Sequence, residues 1–416
     1  MIRPPQNSNN NEQRSIIGGT AIIAGTAIGA GMFSLPVVSA GMGFLWAELC
    51  LVFTWFCMAH TALLILETNL NFPPGASFDT LVGQTLGPRW NLLNNLTLMF
   101  VLYILCYAFI SGGGSMVTQT LHAGMDVDIA PMVSGLLFSA LTALIVWIGT
   151  RAVSRITATI VAGMVISFTL SIGQLISGIT PALLLDVQPD YLLYSFAALP
   201  TCLAAFGFHG NVPSLVKFYG TDPGRVSKCL IYGSLLALAV YTVWQAATLG
   251  QIPRNEFAEI IAQGGNIGPM VAAISGHHQT GMVLGLLNTF ANLAVISSFI
   301  GGSLGLFDFV ADKFKFADDY PGRLKSAAVT FLPPTVASMF FPDGFIIAIG
   351  FAGLAGTVFV ILIPGMAAKA SRRKLGNPLF RVWGGNTLIY FLFAYGALIA
   401  SCHILGLTGL LPVFGR

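Results

Sequence analysis

Charged residues are scarce in this chain. Of its 416 residues, 19 are Lys or Arg and 16 are Asp or Glu, so 8% are charged, whereas 55% are hydrophobic. A soluble globular protein normally has charge on about a quarter of its residues, because it needs a polar surface. The composition therefore excludes a soluble fold of this size and indicates a protein whose solvent is mostly lipid.

Patterns typical of several other function classes are also missing. The formal net charge of +3 is too small to indicate a nucleic-acid partner. There is no HExxH motif and no pair of aspartates in facing apolar segments, so we expect no enzyme, no cofactor and no metal ion. The cysteines lie in or beside apolar segments without the spacing of a disulfide framework or a metal site, and we expect them to pack: Cys50, Cys57, Cys106, Cys202, Cys229 and Cys402.

Apolar stretches of about 20 residues, the length that crosses a bilayer, occur eleven times. We therefore predict an all-α integral membrane protein with eleven transmembrane helices. The first stretch follows a polar leader at residues 1–15 and is too long for a signal-peptide core, so we expect it to remain as a span. The predicted spans are 16–39, 44–70, 92–121, 130–149, 155–178, 191–219, 227–250, 280–311, 326–341, 344–368 and 385–407.

The basic residues predict the orientation of the chain. With the amino terminus in the cytoplasm and the carboxyl terminus in the periplasm, only Arg254 and Arg416 fall outside, as the positive-inside bias requires. The other 17 of the 19 basic residues fall on the cytoplasmic side: Arg3, Arg14, Arg89, Arg151, Arg155, Lys217, Arg225, Lys228, Lys313, Lys315, Arg323, Lys325, Lys369, Arg372, Arg373, Lys374 and Arg381.

The first and sixth spans both contain helix-breaking residues near the centre of the membrane. The first has GTAIGAGMFSLP from Gly25 to Pro36, and the sixth has AFGFHGNVPSL from Ala205 to Leu215. Glycines in membrane helices often serve close packing, and Gly25 and Gly29 have the spacing of such a contact. Because both motifs combine glycines with a Pro and a Ser-Leu pair, we interpret them as a matched pair of broken helices.

The second break lies five spans after the first, and five is an odd number. The second unit of five must therefore cross the membrane in the opposite direction to the first. This predicts an inverted repeat, with residues 16–178 and 191–368 as its units and 385–407 as an additional helix. Paired broken helices in such repeats mark the binding site of secondary transporters.

A broken helix exposes amide N–H groups at one half-helix and carbonyl oxygens at the other. An amino-acid zwitterion matches this pair of partial charges. Its carboxylate is expected on the N–H groups near Gly29 to Gly31, and its ammonium on carbonyls near Gly25 or Ala205. No Arg or Lys at the centre of a span is then needed.

Five stretches of the chain are distinctive: GTAIGAGMFSLP, FTWFCMAHTALLILETNLNF, FGFHGNVPSLVKFYG, SSFIGGSLGLFDF and FRVWGG. In these stretches the chain resembles the bacterial hydroxy/aromatic amino acid permeases, and within that family the tryptophan-specific branch. This resemblance implies a leucine-transporter-like fold with two inverted five-helix repeats plus one helix. It also implies import of an aromatic amino acid, with tryptophan expected, by proton symport and alternating access through the bacterial inner membrane. We expect a monomer.

The candidate substrate-binding residues lie mainly at the two breaks. Aromatic rings there can stack on the substrate, and in the implied fold a tyrosine of the third span reaches the carboxylate, with Tyr107 preferred to Tyr103. Asn211 either bonds to the substrate or caps the second half-helix. The full set is Gly25, Thr26, Gly29, Ala30, Gly31, Phe33, Tyr103, Tyr107, Ala205, Phe206, Phe208, His209, Asn211 and Asn292.

Proton coupling requires a group that can change its charge inside the membrane, and the candidates are His60, Glu67, Glu48, His209 and Asp308. His60 and Glu67 share a helix face about 10 Å apart. Ser297 and Ser298 provide a possible sodium-like site instead. Amino acid exchange and sodium symport stay open as alternatives. An intramembrane enzyme or a channel is the alternative from another class.

Overall fold

The computed structural model describes residues 15–148, 150–277, 281–374 and 379–415, and within these ranges the chain is helical with no strand. The helices are α1 Ile16–Ala27, α2 Ser34–Ser39, α3 Gly43–Asn69, α4 Phe78–Leu86, α5 Pro88–Met125, α6 Pro131–Ile148, α7 Thr150–Ile176, α8 Pro181–Leu184, α9 Leu192–Ala205, α10 Val212–Tyr219, α11 Pro223–Leu249, α12 Glu256–Ala262, α13 Ile267–Gly276, α14 Gly281–Phe314, α15 Tyr320–Phe340, α16 Phe345–Gly356, α17 Ile363–Lys374 and α18 Gly385–Leu407. A π-helical segment, Thr357–Leu362, joins α16 to α17.

Among the described residues, nine helices are long and apolar enough to cross a membrane, or ten if the bent pair α1 and α2 forms one span. Helices are suited to a lipid environment, because the backbone N–H and C=O groups of each helix bond to one another within the segment. The ninth predicted span, 326–341, is not among them. The helix there is α15, which begins six residues earlier and includes Arg323 and Lys325, so it is less apolar than predicted. The leader at 1–14, Arg416 and the side chains of Arg151 and Arg155 lie outside what the structure describes.

Side chains cap the starts of three helices that are predicted to begin on the cytoplasmic side. Ser77 accepts from the N–H of Thr80 at 3.2 Å at the start of α4. Asp222 and Asp319 cap α11 and α15 in the same way, at 3.1 and 2.8 Å. Each cap satisfies an N–H group that the helix itself leaves free. These polar residues therefore fix where the helices begin.

The described segment between α11 and α14 contains two short helices, α12 and α13. Arg254 precedes them and donates to the carbonyl of Gly41 at 2.9 Å. Its guanidinium also lies 3.9 Å from the ring centre of Tyr191 and 4.5 Å from that of Phe414. Arg254 thus ties together the end of α2, the segment before α9 and the chain after α18.

A buried ion pair joins α3 to α17 at the other end of the protein. The Arg372 guanidinium donates to both oxygens of Glu67, at 2.5 and 2.8 Å, and the N–H of Val382 donates to Glu67 Oε2 at 2.8 Å. Glu67 is 1% exposed. These three donors replace the hydrogen bonds to water that the carboxylate loses on burial.

We expect Arg372→Ala to destabilise the protein strongly, because it leaves the buried Glu67 carboxylate without its cation. Loss of one partner of a buried pair costs about 3 to 5 kcal/mol. The readout is thermal unfolding in detergent. The control is Lys315→Ala, which breaks an exposed pair with Asp312 and should cost less than about 1 kcal/mol. Equal losses in both variants would contradict the prediction.

Candidate functional site

The first span is interrupted, as the sequence predicted, and the two halves bend by 49°. Helix α1 ends at Ala27, Ile28 and Gly29 are extended, and a 3₁₀ turn over Ala30–Phe33 leads into α2. The N–H of Ala30 donates to Ser298 Oγ at 2.8 Å. A Cβ at Gly29 would collide with that same hydroxyl. Helix α14 therefore supplies the bond that the broken backbone cannot make for itself, and it approaches closely because residue 29 is glycine.

The sixth span is interrupted at the corresponding place. Helix α9 ends at Ala205, a 3₁₀ turn covers His209–Asn211, and α10 begins at Val212 with Pro213 in its first turn. The break bends this span by less than the first, and the stretch from Pro189 to Tyr219 is long and apolar enough to cross the membrane as one unit. The two half-helices of the sixth span, α9 and α10, are therefore separated by an unwound turn, and the direction of the span does not change sharply there.

The Tyr241 side chain connects the two breaks. Its hydroxyl, on α11, lies 2.5 Å from the carbonyl oxygen of Ala27 and 2.7 Å from that of Ala205. These are the last residues of the half-helices α1 and α9. One hydroxyl proton can be donated to only one carbonyl at a time. The two freed carbonyls therefore converge on one point and together offer more acceptor capacity than Tyr241 fills.

The aromatic residues predicted at the breaks are fully buried behind them. Phe33 packs against Trp244 and Phe290, with ring centres 5.4 Å away in each case. Phe206 packs edge-on against Tyr241 at 5.3 Å. Because Tyr241 and Trp244 are three residues apart on α11, one face of that helix backs both breaks. In this conformation the rings fill the core and do not line an open cavity.

Accessible atoms at the breaks come from a different set of residues. Four residues at the breaks are exposed at the surface of the isolated protein: Gly25, Thr26, Gly207 and Gly210. The Asn211 side chain donates to Thr26 Oγ1 at 2.6 Å, so it links the two breaks. Asn211 makes no capping bond to α10, and the capping role considered above is therefore wrong. Unwound backbone is not left facing lipid, so we expect this accessible side to face water or a substrate.

The predicted residues Phe208 and His209 pack between the second break and α3. The His209 ring stacks on Phe208 with centres 4.9 Å apart. Its Nε2 lies 2.8 Å from Thr61 Oγ1 and 3.1 Å from the Met58 carbonyl. His209 is 0% exposed. These contacts attach the unwound segment to α3.

The structure does not bring Tyr103, Tyr107 or Asn292 to the breaks. Tyr103 donates to the carbonyl of Val329 at 2.9 Å and Tyr107 to that of Phe341 at 2.7 Å, so both hydroxyls bond to or beside α15. Asn292 donates to Thr120 Oγ1 and to a carbonyl of its own helix. The hydroxyls are close to carbonyls of a neighbouring helix, and these bonds satisfy them without a substrate.

Of the serine pair, Ser298 reaches the first break through its bond to Ala30, as described above. At the first break the Ser298 hydroxyl oxygen therefore accepts a hydrogen bond from an amide N–H. Ser297, its neighbour on α14, is half-buried. The sodium-like site therefore stays a prediction for this pair.

The proton candidates lie in different surroundings. His60 Nδ1 lies 2.7 Å from the carbonyl of Phe56, and Glu67 is held by Arg372, so each of these two residues has a different partner. Asp308 is exposed near the end of α14. Glu48 accepts from Thr242 Oγ1 at 2.6 Å, inside the helix bundle.

A cavity of about 700 Å³ lies between α5, α6, α12 and α13, away from both breaks. Its charged lining residues include Glu256, Glu259 and Asp343. None of the predicted substrate-binding residues lines it. Helices α12 and α13 contribute part of its lining, and the three carboxylates make the cavity acidic.

Sequence reasoning missed the contribution of α11. Tyr241, Thr242, Trp244 and Gln245 are fully or partly buried polar or aromatic residues in a helix that is otherwise mostly small and aliphatic. That cluster of polar groups within an apolar span was the signal that could have identified it.

We expect Gly29→Ala to destabilise the protein by about 1 to 3 kcal/mol, because the added methyl collides with Ser298 Oγ. Ser298→Ala removes that collision, and the next atom, Ser298 Cβ, is 3.6 Å from the built Cβ. The double variant should therefore be no less stable in thermal unfolding than Ser298→Ala alone. Gly18→Ala, where an added Cβ meets nothing within 4 Å, is the control. Simple additivity of the two losses would contradict this account.

Over almost its whole length the chain is similar to known permeases. Residues 12–403 match the tryptophan/tyrosine permease family. The chain is 50% identical to the tryptophan-specific transport protein of Pseudomonas aeruginosa over 403 residues, covering 96% of this chain and 97% of that protein. It is 41% identical to the low affinity tryptophan permease of Escherichia coli K12, with 97% and 99% covered. It is 38% identical to the tyrosine permease of Enterobacter agglomerans, with 96% and 98% covered.

A match over nearly the whole chain indicates a transporter and not an enzyme, and the apolar helices make it a multi-pass protein of the bacterial inner membrane. The family resemblance proposed from the sequence motifs is confirmed. The chain belongs to the tryptophan/tyrosine permease family.

Proposed function

We propose that this protein imports an aromatic amino acid, tryptophan in the first place, by proton symport with alternating access. The substrate binds between the two broken helices, with its ammonium on the carbonyls and its carboxylate on the freed N–H groups. Its side chain lies against the aromatic residues behind the breaks. The protein acts as a monomer with no cofactor.

The observation that carries this proposal is the convergence of the Ala27 and Ala205 carbonyls on Tyr241 Oη, at 2.5 and 2.7 Å. An ammonium group has three N–H donors, whereas the tyrosine hydroxyl has one. Two carbonyls that share one donor are undersatisfied, and a buried unmet acceptor is costly. A substrate ammonium that reaches this point relieves that deficit.

Helix packing supports the inverted repeat. If span n corresponds to span n + 5, a contact of span one with seven must reappear as six with two. Span one (α1) packs on span seven (α11), and span six (α9) packs on span two (α3). Likewise span five (α7) packs on span eight (α14), and span ten (α16) packs on span three (α5). We propose two units, 16–178 and 191–368, with α15 as the ninth of eleven spans and α18 as the additional helix.

The side from which the breaks are accessible supports alternating access. Gly25 and Thr26 precede the first break and Gly210 follows the second, so with the amino terminus inside all three lie toward the cytoplasm. On the opposite side Arg254 ties Gly41 to Tyr191 and Phe414. The conformation is therefore one in which substrate leaves inward, and rocking of the two units must release the Arg254 contacts for it to enter.

The names of the relatives support tryptophan as substrate. The protein that is 50% identical over 403 residues is a tryptophan-specific transport protein, whereas the tyrosine permease is 38% identical over 406 residues. An indole offers a larger apolar surface than a phenol and one N–H donor, which suits a site backed by Phe33, Phe206 and Trp244.

Uptake of labelled tryptophan into proteoliposomes tests the function. We expect accumulation when a pH gradient, acidic outside, is imposed alone, and weaker competition by tyrosine and phenylalanine than by unlabelled tryptophan. Accumulation driven by a sodium gradient alone would refute proton symport. Counterflow is measured in parallel, because an obligate exchanger moves label only when substrate is present on the far side.

We expect Gly31→Ala to raise the KM for tryptophan roughly tenfold to hundredfold, the equivalent of about 1 to 3 kcal/mol of overpacking. An added Cβ at Gly31 meets no protein atom within 4 Å, so the protein should fold normally. The methyl would occupy space that the substrate carboxylate needs. Gly18→Ala, which also has open space, should leave KM unchanged. A normal KM for Gly31→Ala would exclude the assigned carboxylate site.

A further inference from the structure

Glu48 has unusual surroundings for a carboxyl group within the helix bundle. Its Oε2 accepts one bond, from the Thr242 hydroxyl at 2.6 Å, and its Oε1 is buried without a hydrogen-bond partner. Within the part of the chain that the structure describes, none of the ion pairs includes Glu48. A carboxylate with one neutral donor and no cation is costly to keep ionised away from water.

Other titratable groups near Glu48 do not pair with it. The Cys202 thiol of α9 interacts electrostatically with Glu48 and with Cys50 of α3. At the start of α3 the Asp186 carbonyl approaches Gly43, and the Asp186 carboxylate accepts from Tyr191 at 3.3 Å. The Arg254 guanidinium at this end of α3 lies on the Tyr191 ring and donates to the Gly41 carbonyl.

A second glutamate on the same helix provides the comparison. Glu67 has a bidentate Arg372 and the N–H of Val382, so its charge is paired. Glu48 has one neutral hydroxyl donor and none of the described ion pairs. Two carboxyl groups on one helix whose environments differ in this way take different roles in proton chemistry.

The partner of Glu48 also connects it to the substrate site. Thr242 is next to Tyr241 on α11, so one helix turn presents one hydroxyl to α3 and the other to the two breaks. Successive residues on a helix point about 100° apart, which lets one segment serve both neighbours. A change in the Glu48–Thr242 bond therefore acts on the same turn of α11 that holds the Ala27 and Ala205 carbonyls.

We propose that Glu48 is the residue that binds and releases the coupled proton, and that Thr242 and Tyr241 transmit its protonation state to the two breaks. The Glu48 carboxylate takes up one proton from the outer side and becomes a neutral acid, and it returns that proton to the inner side. No other bond is made or broken. The inference rests on the proposed proton symport and names the residue on which that symport depends.

Glu48→Gln tests this in proteoliposomes with labelled tryptophan. The amide keeps the shape and can bond to Thr242, but it cannot carry the proton. We expect complete loss of accumulation driven by a pH gradient, while counterflow at equal pH persists. We also expect wild-type counterflow to slow as pH rises and the Glu48→Gln rate to be independent of pH, a difference that a purely structural role would not produce. Asp312→Asn, an exposed carboxylate, is the matched control and should retain accumulation.

Thr242→Val leaves the carboxyl in place but removes its link to α11, and we expect it to weaken accumulation while counterflow continues. Accumulation by Glu48→Gln at the wild-type level would overturn the proposal, as would pH-independent counterflow of the wild type. If Glu48→Gln shows no counterflow either, Glu48→Asp decides: accumulation by this shorter carboxylate supports the proposal, and its absence overturns it. Failure of the wild type to respond to a pH gradient refutes proton symport itself, before any variant is compared.

Discussion

A polypeptide backbone that unwinds inside a membrane has to find its hydrogen bonds within the protein, because lipid offers none. In this permease two spans unwind, and the groups they free have specific partners. The Ala30 N–H has Ser298, and the Ala27 and Ala205 carbonyls have Tyr241. Helices α11 and α14 are therefore required for the breaks to exist, and most of the architecture can be understood as the means of holding these helices against them.

The arrangement also explains why the centre of the protein needs few charges. Partial charges at the ends of four half-helices can match a zwitterion without an ionised side chain at the site. The ion pair of Glu67 with Arg372 lies where α3 ends, and Arg254 lies at the opposite end near Gly41. Strong electrostatic contacts thus sit at the two ends of the bundle, where they can hold or release its halves, and the polar groups between them are mostly neutral.

Neutral polar groups are suited to a step that must be reversible. The Tyr241 hydroxyl has one proton for two carbonyls, and the Glu48 carboxyl accepts one hydrogen bond from Thr242. Bonds of this kind are worth about 0.5 to 1.5 kcal/mol each, so the proposed transport cycle can exchange them for contacts with a substrate or a proton. A bidentate salt bridge at the same place would resist that exchange.

Composition and local pattern were enough to predict several features of this protein. The scarcity of charge required lipid as solvent, the apolar runs placed the spans, and the glycines near Gly29 and Gly207 located both breaks. The family followed from the same motifs. Where sequence reasoning assigned roles to side chains by their span alone, as for Tyr107, Asn211 and Glu67, the tertiary structure gave them other partners.

Which distant side chains complete the site depends on how the helices pack. Tyr241 lies 214 residues from Ala27 and Ser298 lies 268 from Ala30, and no local pattern predicts that they meet. Helix α15 shows the same limit, because it packs against α5, α6 and α14 although its composition does not identify it as a span. Hydropathy reports how a segment partitions between water and lipid, whereas the partner of a hydroxyl is determined by how the helices pack around it.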